Sequence, residues 1–191
     1  MRIGGIELKT KKLTFGAMCL ALSLLLPQAF HMIGMQQAGS VFLPMHIPVF
    51  IGGLLLGPIY GLFLGIFAPL TSFVVTGMPS ADRVLFMMCE LATYGTVSGL
   101  LFHQFHFAQK KWGALSALVI SMLAGRVVYG IVISIATYLF NIPLGGLPAV
   151  IAATTTGIPG IIIQLIFVPT IVMAIIKGGY FDEFAAVERK A

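Results

Sequence analysis

The chain has 191 residues, of which 59% are hydrophobic and only 9% are charged, and its formal net charge is +5. Soluble domains carry roughly 25% charged residues, so this chain has too few polar side chains to cover a water-exposed surface. The composition therefore excludes a soluble globular protein and predicts an all-α integral membrane protein with one domain, residues 1–191.

Six apolar segments predict a bundle of six transmembrane helices, because a spanning helix needs about 20 apolar residues. The predicted helices cover residues 12–30, 43–56, 59–75, 81–102, 112–140 and 147–176. The first loop, His31–Ser40, contains no formal charge and is long for a simple connection, so we expect a lid over a site. Gly57 and Pro58 predict a tight turn between helices 2 and 3, and Gly157 and Pro159 interrupt helix 6.

The basic residues are distributed as in a membrane protein, not as a nucleic-acid-binding patch. Four precede the first apolar run, two lie between helices 4 and 5, and three follow the last helix, all on the side of the N-terminus. The opposite side has only Arg83, and Arg126 lies within a helix. The positive-inside rule then predicts that both termini are cytoplasmic, which an even number of helices requires.

Glycines recur at every fourth residue in helices 2, 3 and 4: Gly53, Gly57, Gly61, Gly65, Gly95 and Gly99. Small residues at this spacing let helix backbones approach closely in lipid, and we expect them to pack within the bundle. Ala17 and Ala21 have the same spacing in helix 1. By themselves they indicate either ordinary close packing or a stripe on which a partner's helices dock.

Two ionisable residues lie deep within predicted helices, and such residues are expensive in a membrane. Glu90 is in helix 4 and Arg126 is in helix 5. They predict either a structural ion pair between these two helices or a pair that also contacts a polar ligand.

Further polar groups near the predicted outer face are candidates for ligand contact: Gln36, Gln37, His46, Arg83, Tyr94, Asn141 and Thr155. Thr154 and Gln164 add hydrogen-bonding groups to helix 6. Hydrogen bonding between helices explains the residues within the spans as well as ligand contact does.

The sequence contains no Walker A motif, no metal-binding motif and no paired carboxylates at catalytic spacing. We therefore predict no cofactor and no metal, and we expect a binding subunit of a transporter driven by another protein. A small intramembrane enzyme using Glu90, His46 or His31 and a ligand-free membrane assembly protein remain as alternatives.

Three stretches resemble the substrate-binding S components of energy-coupling factor (ECF) vitamin importers: residues 42–61, 69–79 and 90–100. The first of them contains Pro44-Met-His-Ile-Pro48 and Gly57-Pro-Ile-Tyr-Gly61. Ala17-x-x-x-Ala21 is similar to the family's motif for docking on its coupling subunit. The resemblance extends over nearly the whole chain.

This resemblance implies a high-affinity vitamin-binding subunit in a bacterial cell membrane, acting with a transmembrane coupling subunit and two ATPases. It implies that the vitamin binds under the first loop and is delivered by reorientation of the subunit in the membrane. It also implies a site in the outer halves of helices 4–6 and the adjoining loops. Pantothenate is the first expectation for the vitamin, since Arg83, Arg126 and His46 suit a carboxylate, and cobalamin is the second.

Overall fold

The computed structural model describes residues 3–32, 34, 37–110 and 112–179, and every regular element in this part of the chain is helical. The helices are α1 (Ile3–Met32), α2 (Ala38–Phe42), α3 (His46–Leu56), α4 (Pro58–Thr76), α5 (Ala81–His103), α6 (Gly113–Tyr138), α7 (Gly146–Thr156) and α8 (Ile158–Lys177). A short 3₁₀ turn, Phe107–Gln109, lies between α5 and α6.

Six stretches are long and apolar enough to cross a bilayer, which confirms the predicted six-helix membrane bundle. They are Thr10–Met32, Gly39–Leu56, Pro58–Thr76, Ala81–His103, Gly113–Tyr138 and Ile158–Lys177. The cytoplasmic location of the termini stays a prediction from the charge distribution.

The predicted sixth helix, 147–176, is two helices in the structure. Pro159 has no amide hydrogen to donate to the preceding turn, and Gly157 forms the cap at which α8 begins. The Gly157 amide donates to the Ala153 carbonyl at 3.1 Å, and the Gly157 carbonyl accepts from the Ile161 amide at 2.9 Å. The spanning part is therefore α8 alone, because α7 has only 11 residues.

The predicted first loop is shorter than His31–Ser40, because α1 continues to Met32 and α2 begins at Ala38. The chain breaks instead at Leu43, whose φ of 49° lies in the left-handed region. Pro44 follows, and a proline disfavours right-handed helical backbone in the residue before it. The break directs α3 into the bundle, where its buried residues include Phe50 and Leu54.

The glycine series packs helices against each other within the bundle, as predicted. A Cβ atom on Gly61 would overlap the backbone of Gly95, and the reverse is also true. Gly53 approaches the same Gly95 carbonyl from α3, and Gly99 approaches the turn at Pro58. Large apolar side chains cover the outside, where lipid is their expected solvent: examples are Leu25, Phe63, Val74 and Ile166.

Candidate functional site

A cluster of three polar side chains joins α5 to α6 through an ion pair. The Arg126 guanidinium lies 3.0 Å from Glu90 Oε1 through Nη1. The same carboxylate oxygen accepts a hydrogen bond from the Tyr94 hydroxyl at 2.6 Å. The structure thus forms the ion pair that the sequence predicted, and it adds Tyr94 as a third member.

The cluster lies deep in the bundle because of where its residues stand on the helices. Arg126 comes 13 residues after Gly113, so it lies roughly 20 Å along α6. Its neighbour Gly125 has no side chain, and a Cβ there would overlap the Tyr94 ring. Gly125 therefore lets Tyr94 lie close against α6. At this depth the free-energy cost of removing each charge from water is offset only while its opposite partner is present.

A cavity of about 200 Å³ lies beside this cluster, between α3, α5, α6, α7 and α8. Most of its lining is apolar, and a few polar groups converge on it, which is typical of small-molecule sites. The polar lining residues are His46, Tyr94, Arg126, Thr154 and Gln164. The apolar ones are Leu43, Val119, Met122, Leu123, Ile161 and Leu165.

His46 lines the cavity with a buried imidazole ring. Its side chain is only 3% exposed, and its Nδ1 has no hydrogen-bond partner among the described residues. The ring centroid lies 5.7 Å from that of Tyr94, which in turn stacks on Phe50 at 4.9 Å. Buried polar atoms in folded proteins are nearly always hydrogen-bonded, so this ring nitrogen is an exception.

Gln164 and Thr154 also line the cavity, although neither is among the predicted binding residues. Gln164 Nε2 donates to the Leu43 carbonyl at 3.4 Å, and the same carbonyl accepts from the His46 amide at 3.1 Å. Thr154 donates its hydroxyl to the Val150 carbonyl at 2.8 Å, within its own helix. One signal in the sequence marks Gln164: apart from Thr170 and Lys177, it is the only polar residue of α8.

Four of the predicted binding residues do not line this cavity. Arg83 is exposed and lies 3.9 Å from Asp82. Asn141 is exposed in the turn after α6, with φ of 53°. Thr155 is exposed and bonds the Ile151 carbonyl at 3.1 Å, so its neighbour Thr154 takes the cavity position. Gln37 is exposed before α2.

Gln36 lies outside the described residues. Of the predicted binding residues, His46, Tyr94 and Arg126 line the cavity, and Glu90 is held directly behind them.

The predicted docking pair lies on the outside of the bundle. Ala17 and Ala21 are both exposed on α1, whereas Gly16 faces inward and packs near Leu56 and Tyr60. The outward position leaves the pair accessible to another membrane protein.

The cavity is equipped to bind a small polar molecule within the membrane. Glu90 and Arg126 compensate each other's charge, and the remaining guanidinium N–H groups of Arg126 are available because arginine has five. His46, Gln164 and Tyr94 add hydrogen-bonding atoms of both kinds. These groups orient a ligand on one side, and aliphatic side chains cover its other faces.

The comparisons with known proteins agree with this architecture. A family model described as "ECF transporter, substrate-specific component" matches residues 11–179. No curated protein and no solved structure shows a significant similarity to the chain. The match includes all of the cavity-lining residues and five of the six spans completely, and it begins one residue into the first span.

Members of this family are non-catalytic transport subunits that act with the other proteins of an ECF module and take a substrate. The alternatives of an intramembrane enzyme and a ligand-free assembly protein are therefore wrong. The chain belongs to the family of substrate-specific components of ECF transporters.

Proposed function

We propose that this S component binds a compact vitamin in the cavity between α3, α5, α6, α7 and α8. Arg126 and His46 are its main polar contacts, and Tyr94, Gln164 and Thr154 complete the site. Glu90 holds Arg126 and Tyr94 in position from behind. Binding occurs from outside a bacterial cell, with both termini of the subunit in the cytoplasm, and Gln36 and Gln37 belong to the lid.

The observation that carries the proposal is the cavity itself, on which the side chains of Arg126, His46 and Gln164 converge. A ligand hydroxyl, amide or carboxylate would find hydrogen-bonding partners among these three side chains. The Arg126 side chain is 18% exposed and lines the cavity.

Pantothenate fits these features better than cobalamin. It is a compact molecule with one carboxylate, one amide and two hydroxyls, and the cavity offers a guanidinium, an imidazole and an amide. Ligand sites usually have volumes of about 300–1,000 Å³, and 200 Å³ is below the small end of that range. A corrinoid would need a much wider site. Arg83 no longer supports a carboxylate, because it lies outside the cavity.

Delivery follows docking on the coupling subunit of the ECF module. The exposed pair Ala17 and Ala21 forms the contact, and small side chains there allow a partner helix to approach α1 closely. The subunit then reorients in the membrane and releases the vitamin inside. Backbone contact between Gly61 and Gly95 keeps the helices together during such a movement.

Calorimetric titration of the purified protein with individual B vitamins tests the proposal. We expect saturable heat with pantothenate and none with cobalamin. Arg126→Ala should weaken binding by about 10- to 100-fold, since a hydrogen bond to a charged group contributes about 1.5–3 kcal/mol. Saturable binding of cobalamin would show that cobalamin, and not pantothenate, is the substrate. Binding of no vitamin would contradict the proposed site.

A further inference from the structure

A second concave surface lies at the basic end of the bundle, which we define as the end that carries Lys11, Lys110 and Lys177. A groove of about 490 Å³ separates the beginning of α6 from the end of α8. Its lining residues are Trp112, Ala114, Leu115, Pro169, Thr170, Met173, Ala174 and Lys177. None of them lines the cavity described above, so the two are distinct.

The groove is charged at one end and mostly apolar along its length, where the Thr170 hydroxyl donates to the Ile166 carbonyl of its own helix at 2.6 Å. Trp112 comes directly before the span of α6, and Lys177 is the last residue of the span of α8. We therefore expect both at the membrane–water boundary. Pro169 lies eight residues before Lys177, which is about 12 Å deeper along α8. The small side chain of Ala174 leaves space between these levels. An occupant must therefore have a charged head and an apolar tail.

The polar end of the groove is cationic and amphipathic. Lys177 is exposed there, and Trp112 is 67% exposed. An exposed tryptophan at the membrane boundary usually sits among lipid headgroups. Basic pockets between membrane helices on the cytoplasmic side bind anionic headgroups. The charge, the aromatic ring and the depth of the apolar part all match one kind of molecule.

We propose that this groove binds a phospholipid with an anionic headgroup. The phosphate lies against Lys177 and the Trp112 indole, and the upper part of one acyl chain follows Met173, Ala174 and Pro169 into the membrane. The lipid is a resident of the basic end of α6 and α8, and it does not compete with the substrate. This inference is independent of which vitamin the subunit carries.

The chain contains a single tryptophan, so Trp112 is a built-in reporter of this groove. The protein is reconstituted in bilayers that mix phosphatidylglycerol and phosphatidylcholine, with bromine on the acyl chains of one lipid at a time. Bromine quenches tryptophan fluorescence on contact. The relative quenching gives the preference of the Trp112 site for each lipid.

We expect a preference of about fivefold for phosphatidylglycerol, the ratio that corresponds to about 1 kcal/mol for one basic residue near an anionic surface. Lys177→Gln should reduce the ratio to about one, and Lys177→Arg should retain it. Lys11→Gln is the matched control, because it removes a charge from the same end of the bundle on α1, outside the groove. That control should keep the preference.

Equal quenching by the two lipids in the unchanged protein would overturn the inference, and so would a preference that survives Lys177→Gln. The measurement is repeated on the complete ECF complex. If neither brominated lipid then quenches Trp112, a protein partner fills the groove and the lipid assignment is wrong. If the preference for phosphatidylglycerol persists in the complex, the lipid site is retained during transport.

Discussion

Glu90 Oε1 accepts a hydrogen bond from Tyr94 and forms an ion pair with Arg126, so one carboxylate fixes two residues that line the cavity. The sequence leaves open whether this pair is structural or contacts a ligand. The two residues of the pair occupy different positions: Arg126 lies in the cavity wall, and Glu90 lies behind it. Stability and binding therefore depend on these residues in different ways.

Removing Arg126 alone should destabilise the protein, since Arg126→Gln leaves Glu90 as an uncompensated buried charge. Breaking one partner of a buried pair costs about 3–5 kcal/mol. The double variant Glu90→Gln, Arg126→Gln should recover most of that loss without recovering substrate binding. Thermal unfolding in detergent and calorimetry on the same samples measure the two effects. Full binding by the double variant would show that the guanidinium makes no ligand contact.

Replacing His46, unlike replacing Arg126, should weaken binding without destabilising the protein. His46→Phe keeps a ring beside Tyr94 and Phe50 but removes the unpaired Nδ1. Loss of an unsatisfied buried polar atom should leave the melting temperature unchanged or raise it, while vitamin affinity falls at least about tenfold. Differential scanning fluorimetry and calorimetry test this combination. Unchanged affinity would mean that the imidazole has no part in recognition.

At the scale of helices, the close contacts were the most predictable feature. A four-residue glycine spacing is visible in any sequence, and Gly61 and Gly95 meet backbone to backbone as expected. The helix ends were less predictable. Leu43 takes a left-handed conformation, which a leucine in the sequence does not predict. The helix break at Leu43 gives Gln164 its carbonyl partner.

Gly95→Ala should weaken the packing of α4 on α5, since the added Cβ overlaps the Gly61 backbone. We expect a loss of about 1–3 kcal/mol, the usual cost of overpacking. Gly130→Ala on α6 is the matched control, because the nearest atom outside its own helix is a Val150 methyl carbon 4.0 Å from the new Cβ. Chemical denaturation in detergent compares the two. Equal stability would contradict the close crossing of α4 and α5.

Which threonine faces the cavity could not be predicted, because adjacent residues of a helix point about 100° apart and the break at Gly157 resets the direction. The sequence favours Thr155, whereas the structure has Thr154 in the wall and Thr155 exposed. The polar side chains of Arg83 and Asn141 at the outer face predict ligand contact, but sequence position alone does not show that the cavity lies elsewhere.

For the whole molecule, the membrane environment follows directly from composition, and the six spans confirm it. The cavity does not follow from composition, because it depends on how five helices leave space between them. The exposed alanines of α1 give the bundle a surface that is separate from the cavity. Substrate binding and docking on the coupling subunit should therefore be separable by mutation.

Replacing both Ala17 and Ala21 with Phe should abolish vitamin uptake by cells and leave the affinity of the purified protein unchanged. The bulky rings would keep a partner helix from approaching α1. Ile131→Phe, at an exposed position on α6, is the control and should retain uptake. Uptake assays beside calorimetry separate the two functions. Normal uptake by the double variant would rule out this docking surface.

The most direct test of the binding cavity is the affinity of two neighbouring variants for the vitamin that the calorimetric screen identifies. Thr154→Phe places a ring in the cavity, whereas Thr155→Phe places the same ring on the exposed side of α7. We predict that the first variant loses measurable binding and that the second binds as the unchanged protein does. Equal affinities, or loss confined to Thr155→Phe, would show that the substrate is held somewhere else.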